Sequence, residues 1–310
     1  MPGSRGKIKM IRAVIDIGSN SIKMRLAEIK NGRVNLLRDE TEVVRLGRGM
    51  TKDGTLSLES MKISCGTVLK MVKTAQKFQA EIFIAGTMAL RTAKNSEEFL
   101  KMVKDATGFE VHVLSGEDEA RYSWLGAVDG FNFPGDVIMF DTGGGSTEFV
   151  CGSGGAVKKI VSVPIGAVII SEKFFNERDK PIKKSLCDSA VEYIKAILLE
   201  NKIDTFKIKG SKILGVGGGV VTMASVKFAC ETFCPTELHG SELNLRDVAR
   251  QIELYAALTL KERENVIGLP ASRADIILGS ACIVFSALKI LEAKSCIVSI
   301  NGLRNGLLIA

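Results

Sequence analysis

Asp16-Ile17-Gly18-Ser19-Asn20-Ser21 and Asp141-Thr142-Gly143-Gly144-Gly145-Ser146 share the frame D-x-G-x-x-S, half a chain apart. Each copy combines a carboxylate, a glycine turn and side-chain hydroxyls. Glycine lets backbone N–H groups converge on an anion, and Ser or Thr adds further donors. The chemistry is phosphate binding by two copies of one device. Its candidate ligands are Gly18, Ser19, Asn20, Ser21, Gly143, Gly144, Gly145, Ser146 and Thr147. Asp16, Asp141 and Glu148 would repel such an anion unless a cation intervenes. Mg²⁺ is a hard ion held by one or two carboxylates plus phosphate oxygens, which makes these three the candidate metal ligands. Strand alternation places Glu148 on the same face as Ser146. The plainer reading is that D-x-G is common turn material and that Glu148 faces solvent. Two copies in matching contexts weigh against chance.

Further groups could do chemistry. Gly217, Gly218 and Gly219 sit between an apolar run and a helical pattern, where amides and a helix N-terminus could meet phosphate. A purely structural loop is an equal alternative. A dinucleotide site is disfavoured because the spacing is not G-x-G-x-x-G. Ser115-Gly116-Glu117-Asp118-Glu119-Ala120-Arg121 is the most acidic cluster. Acids in a first helical turn often serve only the dipole, yet one of the three could act as a general base toward water. Arg91 follows a strand and a turn, within reach of a phosphate, with a plain surface charge as its alternative. Cys230-x₃-Cys234-x₄-His239 lacks the fourth ligand of a structural zinc site, so core thiols are expected. His112 is expected to pack, and Asp188 and Asp275 read as ordinary helix residues.

The elements that must position these groups follow from periodicity. Each D-x-G copy lies between two apolar runs, which predicts strand, glycine turn, strand. Helices are predicted over about 57–79, 95–106, 117–128, 166–176, 185–200, 245–257, 271–292 and 303–310, with another starting after Gly219. Asn95 with Glu98 predicts a capping box, and Gly108 the stop of that helix. Strands are expected at 81–85, 111–114, 136–152 as a hairpin, 156–163, 212–216 and 295–300. Alternating strands and helices with glycines at strand ends predict α/β architecture. Residues 130–135, Gly-Phe-Asn-Phe-Pro-Gly, are the best candidate boundary.

Composition sets the outer limits. The chain has 310 residues, 46% apolar and 25% charged, so two domains are expected. A net charge of +7 favours an anionic partner, while 6% aromatics give little for base stacking. Met1–Met10 is basic without an apolar leader, and no apolar run is long enough to span a membrane. Seven cysteines, mostly in apolar runs, fit reduced thiols and a cytoplasmic protein.

Together the motifs resemble the exopolyphosphatase / guanosine pentaphosphate phosphatase (Ppx/GppA) family, within the actin, sugar-kinase and heat-shock ATPase superfamily. Val14–Ser21 is similar to its first phosphate motif, Ala85–Arg91 to its arginine segment, Leu114–Arg121 to its S-G-x-E-E-A-R signature, and Phe140–Glu148 to its second phosphate motif. Arg273–Ile277 and Gly302–Leu308 are similar to its C-terminal signatures. The resemblance implies two ribonuclease-H-like domains, 1–130 and 131–300, with an interdomain cleft and a terminal helix, 301–310, packing back on the first. It implies that Glu119 is the catalytic base, that Asp141 and Glu148 hold Mg²⁺ or orient water, and that Arg91 joins both hairpins on the terminal phosphates. A monovalent cation such as K⁺ could accompany the Mg²⁺. The implied activity is exopolyphosphatase, with pppGpp 5′-phosphohydrolase or nucleotide triphosphatase as the alternative and a non-catalytic sensor as a third reading. The implied partners are polyphosphate or guanosine polyphosphate and a second copy in a homodimer, with no nucleic acid and no membrane. Three features depart from the pattern: Asp118 stands for a Glu, Asn305 stands for a Glu, and the 217–222 loop has one hydroxyl fewer than a G-T-x-T-like loop. The C-terminal helical domains of the long forms are also expected to be absent.

Overall fold

Each sheet grows from an apolar strand that runs into the D-x-G turn. The protein's structure is a computed structural model that describes residues 10–30, 33–48, 50–177 and 179–310. Residues 1–9 of the basic leading stretch lie outside these. The chain divides into two units. One runs to Ser115 and takes back Arg304–Ala310, and the other is Gly116–Leu303.

In the first unit, β1 (Met10–Ile17), β2 (Ser21–Lys30) and β3 (Arg33–Val43) form an antiparallel meander. Then come α1 (Met50–Asp53), α2 (Leu58–Lys77), β4 (Glu81–Gly86), α3 (Met88–Thr92), α4 (Ser96–Thr107) and β5 (Val111–Val113). The sheet order is β3-β2-β1-β4-β5, with β4 parallel to β1 and β5 parallel to β4. Ser57 starts α2 by accepting from the Ser60 amide. The helix buries Met61, Cys65, Val68, Met71, Val72 and Ala75, which recur at helical spacing, against Ile15, Met24 and Ile84 of the sheet. Each large side chain so buried contributes about 1.5–3 kcal/mol.

The second unit holds α5 (Gly116–Val128), β6 (Asp136–Thr142), β7 (Thr147–Ser153), β8 (Ala156–Val163), α6 (Ala167–Phe174), α7 (Lys184–Glu200), β9 (Lys212–Val216), α8 (Gly218–Lys227), α9 (Pro235–Leu238), β10 (Glu242–Asn244), α10 (Leu245–Ala257), α11 (Leu260–Arg263), α12 (Ile277–Ile290) and β11 (Ser295–Val298). Its sheet order is β10-β11-β9-β6-β7-β8. Read from the β8 edge, it repeats the first sheet: three antiparallel strands, then two parallel ones. The ribonuclease-H-like pattern therefore occurs twice, with β10 added to the second copy.

The helix after the last strand of each repeat does not stay with that repeat. α5 follows β5 yet packs on the second sheet, where Ala120, Trp124 and Ala127 meet Val137, Met139 and Val150. The Trp124 ring occupies the space a side chain at Gly152 would need, and its indole N–H donates to the Gly155 carbonyl at 3.1 Å. The last helix, α13 (Leu303–Ile309), belongs with the first unit. Leu308 is buried against Val14 and Ala27, and Arg12 donates to its carbonyl.

The structure corrects several expectations. Asn95 makes no capping box: its Oδ1 accepts from the Leu56 amide and its Nδ2 donates to the Leu56 carbonyl, so it fastens a loop instead. The helix predicted at 271–292 is a short 3₁₀ turn, Ala271–Arg273, followed by α12. Cys230 and Cys234 are joined as a disulfide rather than being reduced thiols, while Cys65, Cys151, Cys187, Cys282 and Cys296 are free and buried. His239 tilts against the Phe131 ring, with centroids 4.5 Å apart, and accepts from the Ile300 amide. His112 is exposed, with its ring stacked on Phe83.

Candidate active site

The second hairpin carries the densest chemistry. Asp141 ends β6, and β7 sets Glu148 directly opposite it. Two carboxylates so paired have Cβ atoms ~5 Å apart and would repel by about 3 kcal/mol at an effective dielectric of ~20. Glu148 is only 2% exposed. Each acid is held by a hydroxyl. Ser123 of α5 donates to Asp141 Oδ2 at 2.5 Å, and Ser162 of β8 donates to Glu148 Oε1 at 2.8 Å. Ser162 is also the cross-strand partner of Glu148.

Glycines leave the Asp141 carboxylate room. A Cβ at Gly217 would lie 2.9 Å from Asp141 Oδ1 and 2.4 Å from the Thr142 carbonyl, and Gly217 has φ +99°. A Cβ at Gly302 would sit 3.6 Å from Asp141 Oδ2. The buried Thr142 hydroxyl has no hydrogen-bond partner among the described residues. A hard oxygen donor pair, an unpaired hydroxyl and glycine walls fit a divalent cation.

The tip of this hairpin is fixed from behind. The Gly143 amide donates to the Ser146 carbonyl at 2.9 Å. The Gly143 and Gly144 carbonyls accept from Ala167 and Val168, the first residues of α6. Gly166 permits this approach, since a Cβ there would fall 2.4 Å from the Gly144 backbone. With the carbonyls so engaged, the amides of Gly144, Gly145 and Ser146 donate to no acceptor among the described residues. Donor groups without protein partners are what an anion needs.

Of the three acids opening α5, Glu117 pairs with Arg121 at 2.6 Å and is exposed, and Asp118 is exposed. Glu119 is half-buried. It lies four residues before Ser123, on the same helix face as the hydroxyl that holds Asp141.

The first hairpin repeats the turn but not the charge. The Gly18 amide donates to the Ser21 carbonyl at 3.1 Å, matching Gly143 and Ser146. The Ser19 carbonyl accepts from Gly47, and that of Asn20 from Val44 and Arg45. Thr87 donates its amide and hydroxyl to the Ile17 carbonyl. Ser19, Asn20 and Ser21 are each 6% exposed, and the Ser19 hydroxyl is unpartnered among the described residues. Asp16 Oδ1 is also buried without a hydrogen-bond partner, and burial holds this carboxyl above the usual range, opposed by Lys23 and Arg304. Across the strands, Asp16 faces Lys23. Arg91 on α3 is half-buried and donates to the Leu114 carbonyl at 2.7 Å.

Residues 26–310 match the Ppx/GppA phosphatase family. The chain belongs to that family. A Ppx/GppA family member from Aquifex aeolicus has a solved structure that is 31% identical, covers 97% of each chain and has a TM-score of 0.80. An exopolyphosphatase from Cytophaga hutchinsonii is 25% identical over 96% of each chain, with a TM-score of 0.86. Among curated proteins, a bifunctional 3-dehydroquinate synthase/phosphatase of Fusobacterium nucleatum is 29% identical over 95% of this chain and 46% of its own length. A guanosine-5'-triphosphate,3'-diphosphate pyrophosphatase of Vibrio vulnificus is 29% identical over 95% of this chain and 58% of its own. The chain thus spans about half the length of the curated relatives it matches.

In this Ppx/GppA chain the 217–219 glycines have close structural neighbours. Gly217 lies against β6, a Cβ at Gly218 would fall 2.2 Å from the Arg273 guanidinium, and one at Gly219 would fall 2.6 Å from Ser280 of α12. Sequence reasoning missed Ser123, Ser162 and the place of Arg273. Ser123 left a signal, a lone hydroxyl amid the apolar face Ala120, Trp124, Ala127. Ser162 left none, because only strand pairing brings it to Glu148.

Proposed function

We propose that this Ppx/GppA chain is a Mg²⁺-dependent phosphoanhydride hydrolase that releases terminal orthophosphate from inorganic polyphosphate, with Glu119 as general base. The observation that carries the reading is the opposed Asp141–Glu148 pair, each acid oriented by a serine, with Glu119 one helical turn from Ser123. Asp141 and Glu148 would hold the ion. Bound there, Mg²⁺ would supply positive charge to offset the phosphate oxygens and the two acids.

The chain's own groups do the rest. The Gly144, Gly145 and Ser146 amides, with the Ser146 hydroxyl, bind the terminal phosphoryl oxygens and stabilise the charge that develops on them; the buried Thr147 hydroxyl, expected from the sequence to join them, instead donates to the Ile165 carbonyl at 2.7 Å. Gly18–Ser21 and Arg91 are phosphate-binding residues of the first unit. Glu119 orients a water and accepts its proton as the water oxygen bonds to phosphorus. The bridging P–O bond then breaks, and its electron pair stays on the shortened polyphosphate.

A second reading, pppGpp as the substrate, is favoured by the likeness to the Vibrio vulnificus pyrophosphatase. Orthophosphate release from short polyphosphate, long polyphosphate and pppGpp at equal concentration, with and without Mg²⁺, tests both. Release from neither polyphosphate nor pppGpp, despite binding, would leave the sensor reading.

A further inference from the structure

The connection from α8 to β10 collects three groups that the hydrolase reading does not use. Cys230 follows α8 and is buried, Cys234 is half-buried just before Pro235, and Glu237 lies exposed in α9. The two Sγ atoms and a Glu237 carboxylate oxygen lie within 4.8 Å of one another. The α9 turn sets this geometry: the Glu237 amide donates to the Cys234 carbonyl at 3.1 Å, so the acid and the second cysteine share one turn. His239 is not part of the cluster, since its Nδ1 accepts from the Ile300 amide and its ring lies against Phe131.

We propose that the Cys230–Cys234 disulfide is the oxidised form of a zinc site, and that the reduced chain holds one Zn²⁺ through Cys230, Cys234 and Glu237. The Cα atoms of the two cysteines are 6.7 Å apart, near the upper end of the usual disulfide span of about 4.4–6.8 Å. Two thiolates bound tetrahedrally at about 2.3 Å put their sulfurs about 3.8 Å apart, so opening the bond asks for side-chain rotation and little of the backbone. A bridge across four residues closes a short loop and constrains the unfolded chain weakly. Cys234 is partly exposed, so an external thiolate can reach it. The step balances. One sulfur of a dithiol reductant attacks Cys234 Sγ and the S–S electron pair leaves with Cys230. The second sulfur of the reductant then frees Cys234, and the reductant becomes the disulfide. Zn²⁺ binding displaces the two thiol protons. Thiolates select zinc over Mg²⁺, which takes oxygen ligands. Glu237 supplies the third bond at about 2.0–2.2 Å and leaves a fourth position for water. The ion fastens the lead-in to the β10–β11 pair, where the Gly240 amide donates to the Val298 carbonyl at 2.8 Å.

The experiment titrates the full chain with Co²⁺ as a spectroscopic stand-in for Zn²⁺. A thiolate ligand gives Co²⁺ a near-ultraviolet charge-transfer band, so ions held elsewhere through oxygen alone are silent. The chain oxidised with glutathione disulfide should show five thiols when denatured, and after dithiothreitol all seven. Freed of reductant without air, the reduced chain should develop the band and saturate at one Co²⁺, while the oxidised chain should develop none. Cys234→Ser and Glu237→Gln should each weaken binding by about 10-fold or more, since even groups that only orient a ligand are worth that much. A reduced chain without the band, or a disulfide that dithiothreitol does not open, would overturn the proposal. So would wild-type affinity in either variant. If a variant does not fold, the oxidised and reduced wild type decide alone. None of these outcomes bears on the hydrolase reading, which uses neither cysteine.

Discussion

The Ser123 hydroxyl donates to Asp141 Oδ2, and so couples the helix that carries Glu119 to the strand that carries Asp141, the first of the two acids proposed to hold the metal. α5 is itself locked by Trp124 over Gly152. The proposed base and the proposed metal ligand are therefore joined by one direct contact rather than carried on two separate loops.

Glu119 should be separable from its acidic neighbours. Glu119→Gln should retain substrate binding and lose about 10²–10⁴-fold in kcat, the usual contribution of a general base. Glu117→Gln and Asp118→Asn, both exposed, should keep near-normal turnover. Steady-state phosphate release from polyphosphate measures all three. Equal losses across them would remove Glu119 from its assigned role.

Ser123→Ala should act through Asp141. Groups that orient a metal ligand typically cost about 10–100-fold in affinity or activity when lost. Calorimetric titration with Mg²⁺ should show weaker binding, with Ser123→Thr recovering much of it. Unchanged affinity in the alanine variant would mean that the hydrogen bond does not orient the acid.

Gly166→Ala should distort the second hairpin from outside the site. The new Cβ would lie 2.4 Å from the Gly144 backbone, which cannot rotate away as a side chain could. Overpacking of this kind costs about 1–3 kcal/mol. Thermal unfolding should show that loss, with turnover falling alongside it. An equally stable, fully active variant would show that the hairpin tip does not depend on this contact.

Asp39 anchors the last helix. It accepts from Arg25, whose side chain is largely buried, at 2.7 Å, and it also pairs with Arg304. Burial pushes its carboxyl up, but Arg304 and Arg25 together outweigh that and hold it below the usual range. A depressed folded-state pKa contributes stability above the unfolded value, about 3.9, and that stability is lost as pH falls through the folded one. Asp39→Asn should cost about 1–3 kcal/mol near neutrality, after allowance for its partial exposure. The deficit should shrink below about pH 4, as the wild type loses the same charge. Chemical denaturation at several pH values would detect it, and a deficit that stayed constant to low pH would rule out the ion pair as its cause.

Most strands were legible because each buries an apolar run between glycine turns. β3 was not. Its sequence, Arg33-Val-Asn-Leu-Leu-Arg-Asp-Glu-Thr-Glu-Val43, is mostly charged or exposed, and as an edge strand it pairs only with β2. Without a buried face there is no alternation to read. The acids and glycines of the site were legible because turn geometry and charge leave local marks. Their supports were not, since Ser162, Arg273 and Gly166 act on residues far from them in sequence. Asn95 shows the converse failure: a good local capping signal gave way to a tertiary partner, Leu56.

The exchange of final helices has a consequence for biosynthesis. Nascent domains ordinarily condense in the order they leave the ribosome. Here Val14 and Ala27, made before the whole of the second unit, wait for Leu308 to cover them. The early-made body must therefore persist with an uncovered apolar face until nearly all of the later one has been translated.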